Sequence, residues 1–143
     1  MLFRSYHRAM VAVEVNFSLA PTRLLQRWGY PNLYMRERMD TLTGRPSLRA
    51  GFLTNAQTRP VILANLKAIW RDNPHIEEDK ATLLEMLSFV RNSLGRPEAL
   101  SGKHDDLVMS LAIAHEVAEH TGREWQEATD EGEDWISRHF HCD

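Results

Sequence analysis

The pattern of apolar and polar positions opens with "AMVAVEVNF" (9–17), an almost unbroken apolar and β-branched run. It predicts a buried strand whose only ionisable residue is Glu14. "APTRLLQRWGYP" follows, with Pro21 suited to the first turn of a helix and Gly29 to its end. "NLYMRERMD" alternates as a strand does, and "DTLTGRPS" supplies turn chemistry before a second short strand near "AGFLT". Together they predict a hairpin within residues 32–54. "TRPVILANLKAIWRD" has Pro60 near its first helical position and apolar residues at Ile62, Leu66, Ile69 and Trp70, which is helical spacing. Asp79 is placed to cap the next helix, "KATLLEMLSF". "FVRN" reads as a short strand before the loop "LGRPEALSGK", and a long helix over 105–120 closes the apparent core. Beyond Gly122 the chain is charged, carries Trp125 and Trp135, and reads as a final helix or a tail. Strands interspersed with helices predict an α/β or α+β fold, with residues 1–122 as one piece and 123–143 as an acidic appendage.

Composition narrows the class. With 143 residues the chain is long enough for a single core, and 43% hydrophobic with 26% charged residues is ordinary for a soluble globular protein. No run approaches the roughly 18 apolar residues of a membrane span. "MLFRSYHRAM" lacks the apolar centre of a signal peptide, and the lone Cys142 excludes an intrachain disulfide framework. The expectation is a cytoplasmic protein with no membrane partner. A net charge of −3 gives no overall nucleic-acid signature. Its distribution is uneven, however. Arg23, Arg27, Arg36, Arg38, Arg45 and Arg49 stand against only Glu37 and Asp40 in residues 23–49, whereas 116–143 is strongly acidic. The basic stretch suits either a polyanion or a plain solvated face.

The candidate chemistry lies in "GKHDDLVMSLAIAHEVAEH" (102–120), where Asp105 and Asp106 meet the start of the long helix. A helix N-terminus offers unpaired N–H groups and a partial positive charge, so one acid can cap while the other sits favourably in the first turn. Carboxylates there also suit a divalent cation, provided further acids arrive from elsewhere. Glu14 is the candidate, because an acid within a buried strand is costly unless paired or metal-bound. The alternative is that its strand is an edge and Glu14 points to water. "HEVAEH" is not a zinc-protease motif: His115 and His120 are five apart, roughly 140° round a helix, and position 119 is Glu. His139, His141 and Cys142 form a terminal cluster too sparse for a zinc site. No P-loop motif is present.

Several segments together resemble the C-terminal nuclease domain of phage terminase large subunits. They are "VEVN" (13–16), "LLQRWGYPNLYMRER" (24–38), "TGRPSLRAGFLTNAQTRPVILANL" (43–66), "LLEMLSFVRN" (83–92) and "GKHDDLVMSLAIA" (102–114), in matching order. The resemblance implies an RNase H-like fold, a mixed sheet flanked by helices, and cleavage of double-stranded DNA during viral genome packaging. It implies two Mg²⁺ or Mn²⁺ ions held by Glu14, Asp105 and Asp106, with His104 as an auxiliary group. Arg36, Arg38, Arg45 and Arg49 would then flank the DNA backbone, where contacts position rather than specify. The terminase small subunit and the portal are partners by the same resemblance, in the cytoplasm of a bacterial host.

The chain departs from that family at its start. The family's first catalytic aspartate lies on a strand upstream of "VEVN", whereas here the first aspartate is Asp40, in the expected hairpin. The expectation is an N-terminally truncated nuclease domain without its ATPase domain, whose exposed sheet edge promotes self-association. A non-catalytic remnant that binds DNA or another packaging component is the alternative.

Overall fold

The computed structural model describes residues 9–75 and 79–121, which divide into two compact units on either side of Leu53 and Thr54. Among these residues the chain is mixed α and β, with four helices and two small antiparallel sheets of two strands each.

In the first unit, α1 (Ala20–Arg27) carries Pro21 in its first turn. It turns Thr22 and Leu25 inward. Gly29, at φ 68°, ends it: its N–H donates to Gln26 O at 3.0 Å and that of Tyr30 to Leu25 O at 2.9 Å. This is the left-handed exit that glycine makes without steric cost. The hairpin follows as β1 (Met35–Met39) and β2 (Pro46–Ala50), in the register Arg36 opposite Arg49 and Arg38 opposite Ser47. Asp40 builds the turn, its Oδ1 accepting from the N–H groups of Leu42 and Thr43 at 2.8 and 2.9 Å.

The expected strand at 9–17 takes a different form. It joins its neighbours through two isolated parallel bridges, Val11 with Leu33 and Glu14 with Phe52. The reason is that its partners are two separate segments, each offering only a pair of bonds. Val11 exchanges with Asn32 and Tyr34; Phe52 donates to Val13 O at 2.7 Å and accepts from Val15 N–H at 2.9 Å. Val15, Leu25, Tyr30 and Phe52 form this unit's buried apolar set.

The second unit contains α2 (Thr58–Asp72), α3 (Lys80–Leu87), β3 (Phe89–Arg91), β4 (Pro97–Ala99) and α4 (Asp106–Thr121). Helix α2 starts two residues before Pro60, because Asn55 Oδ1 accepts from the N–H groups of Gln57 and Thr58 while Thr58 Oγ1 accepts from Asn55 N–H. Asp79 caps α3 as expected, accepting from the Thr82 N–H at 2.8 Å. Helices α2 and α4 make the core: Ile62 and Leu66 on one, Val108, Met109, Ala112, Ile113 and Val117 on the other. Strand β4 lies inside the stretch expected to be a loop. Three residues are too short to show a period, and its pairing depends on Asn92, whose Oδ1 accepts from Leu94 and Arg96 N–H to shape the turn. The appendage 123–143, with His139, His141 and Cys142, lies outside the described residues.

Candidate functional site

The mouth of α4 is built by three helices. Asp105 immediately precedes the helix and accepts from Met109 N–H through its main-chain oxygen at 2.8 Å, yet its carboxylate does not cap. Glu85, from α3, takes that role: its Oε2 accepts from the N–H groups of Leu107 at 2.8 Å and Val108 at 3.2 Å. An acid borrowed from a neighbouring helix thus satisfies donors expected to belong to the aspartate pair. The Asp105 carboxylate is instead paired with Arg59 of α2, each side chain about a third exposed. Asp106 lies in the first turn, exposed, where its charge favours the helix dipole and no partner touches it among the described residues. His104 is exposed beside it.

Neither Arg59 nor Glu85 was singled out by the sequence. "TRP" and "LLEML" contain them, but nothing local distinguishes an acid that crosses to another helix from one that faces water.

In the first unit Glu14 is exposed and its Oε1 accepts from Asn16 Nδ2 at 3.1 Å. Of the two readings of this residue, its solvent exposure agrees with an acid pointing to water. The hairpin register sorts β1 and β2 into two faces, since directly opposite residues project to the same side. Arg36, Arg38 and Arg49 share one face; Met35, Glu37, Met39 and Leu48 share the other. Arg36 is half-buried and donates to Gly51 O at 2.8 Å, so it ties the hairpin to the following segment. Arg38 and Arg49 are exposed, as is Arg45 in the turn. Among the described residues no ion pair engages any of the six arginines of this unit.

A two-ion centre requires several carboxylates converging on common points. Among the described residues no three His, Cys, Asp or Glu side chains converge in that way. Within the second unit Asp105 is neutralised by Arg59, and Glu85 is occupied by the α4 amides. Glu14 belongs to the other unit. Within the second unit, the carboxylates as they stand do not form a two-metal cage. Among the described residues no helix is long and apolar enough to cross a membrane. No family model, curated protein or solved structure matches this chain, so the reading of its site rests on its own residues.

Proposed function

We propose that this chain is nuclease-domain sequence of the terminase type, of RNase H-like ancestry, and that it grips double-stranded DNA without cutting it by itself. The observation that supports the DNA reading is the hairpin register, which gathers Arg36, Arg38 and Arg49 on one face with no ion pair among the described residues, Arg38 feeling only the charge of Asp40 across the turn. Guanidinium groups on a rigid two-stranded scaffold suit phosphate oxygens, which they meet in a planar, two-pronged geometry. Glu37, the acid of β1, projects from the opposite face. The engaged state of Asp105 supports the non-cutting part, because a carboxylate already paired with Arg59 is a poor ligand for a divalent cation until that pair opens.

The test is duplex binding followed by fluorescence anisotropy over a series of salt concentrations. Binding should weaken with salt, need no divalent metal, and fall in Arg38→Ala/Arg49→Ala, whose salt slope should be shallower by about two. Absence of binding, or binding indifferent to those arginines, overturns the reading. Mn²⁺-dependent plasmid nicking that Asp105→Ala or Asp106→Ala abolishes would show that the carboxylates assemble a cutting centre, against the proposal. Mg²⁺ or Mn²⁺ use, and engagement of a small subunit and portal, follow from the resemblance alone.

A further inference from the structure

One face of α1 is open and bipolar. Ala20, Leu24 and Arg27 recur at intervals of four and three, so with Pro21 and Arg23 they line one side of the helix as a shallow groove. Leu24 is 40% exposed, and Leu19 just before the helix is 43% exposed. Arg23 and Arg27 flank these apolar atoms, exposed and without a carboxylate among the described residues. The surface therefore asks for a ligand that carries apolar side chains between negative charges.

The chain itself has one such segment. Residues 122–143 carry Glu124, Glu127, Asp130, Glu131, Glu133 and Asp134, interleaved with Trp125, Trp135, Ile136 and Phe140. We propose that this segment docks on the Ala20–Arg27 face and, by the negative charge it brings to the first unit, weakens the unit's hold on DNA. Exposed ion pairs are individually weak. Tethering compensates, because a linked segment meets its site at an effective concentration of roughly millimolar. The tryptophans cover the apolar strip around Leu24, while the carboxylates meet Arg23 and Arg27. A docked acidic strip carries the same charge as the duplex backbone, so it lowers the positive potential that draws the duplex to the arginines of this unit. The weakening rests on the DNA reading above; the docking does not.

The experiment uses the full chain. A nitroxide is attached to the lone Cys142, and relaxation broadening of backbone amides is read by NMR. The expected result is broadening of the Ala20–Arg27 amides that survives dilution and disappears in Glu131→Gln/Glu133→Gln/Asp134→Asn. That triple variant should also bind duplex DNA several-fold more tightly at low salt. A control with the same charge change elsewhere, Asp72→Asn/Glu98→Gln/Glu119→Gln, should bind less tightly than the segment variant. No broadening of α1, or broadening that fades on dilution and so reports a second copy, overturns the docking. Broadening with equal duplex binding by the two triple variants overturns the weakening. Absence of duplex binding in all the proteins sinks the DNA reading, while the broadening still decides whether the segment docks.

Discussion

Gly51 shows how a single position can be fixed by an approach that the local sequence does not announce. Its φ is 91°, and a Cβ built there would lie 2.4 Å from Val15 Cγ1 and 2.7 Å from the main-chain oxygen of Val13. The backbone of residues 51–52 passes so close to 13–15 that the two bridge bonds form only if position 51 has no side chain. Gly44, at φ 65° in the hairpin turn, meets nothing within 4 Å. Gly44→Ala should therefore cost about 1 kcal/mol, the ordinary penalty for a left-handed alanine. Gly51→Ala adds a clash with main chain and should cost at least about 3 kcal/mol. Urea unfolding of the two variants measures the difference, and equal losses would show that the close approach is not kept in solution. The acids at α4 make the related point about charge. Asp105 and Asp106 look alike in sequence, yet one is bound to Arg59 and the other is open to solvent.

At the level of elements, the α3 cap is where sequence and structure agree best. Asp79 precedes "KATLLEML", and its carboxylate accepts from the N–H and the hydroxyl of Thr82 at 2.8 and 2.9 Å. The Thr82 N–H bond, then the Thr82 hydroxyl, hold its pKa below the usual carboxylate range. The folded protein therefore takes up this proton less readily than the unfolded chain. The cap's contribution is complete above the unfolded value, about 4, and disappears as pH falls through the lowered folded value. Asparagine accepts the same bonds without titrating. Asp79→Asn should thus melt close to the parent near neutral pH and lose less Tm than the parent on acidification to about pH 3. Circular-dichroism melts across that range decide it, and parallel losses would remove Asp79 from the acid response. The end of α1 at Gly29 was equally legible, and of the four apolar positions spaced along α2, Ile62 and Leu66 are buried while Ile69 and Trp70 are half-buried. The pairing of β3 with β4 was not legible, because three-residue strands carry no period and their turn depends on the side chain of Asn92.

At the level of the whole molecule, each unit leaves large apolar side chains in water. Phe17 is 98% exposed and Leu42 96% in the first, Leu87 79% and Leu94 74% in the second. The 11–15 segment bonds through alternate residues to one side only, leaving the main-chain groups of Ala12 and Glu14 without partners among the described residues. An apolar segment with one unpaired edge invites another strand. Self-association is the expected outcome, and sedimentation velocity over a wide concentration range should show an average mass that rises with concentration. A monodisperse monomer throughout would mean that these surfaces are covered within the chain.

What the sequence determined by itself is the local chemistry: roughly where helices α1 to α4 lie, that the chain turns near Asp40 and Gly44, and that Ile62 and Leu66 of α2 face inward. Each depends on residues a few positions apart, so it can be read without knowing the fold. The tertiary structure alone decided how the carboxylates at α4 are used. Asp105 meets an arginine 46 positions away, and the helix amides take an acid from 22 positions away. A capping signature states what a helix end needs, but only the packing of neighbouring helices selects which carboxylate supplies it. That selection is why, of the aspartate pair, Asp105 pairs with Arg59 and Asp106 is exposed, while the cap comes from Glu85.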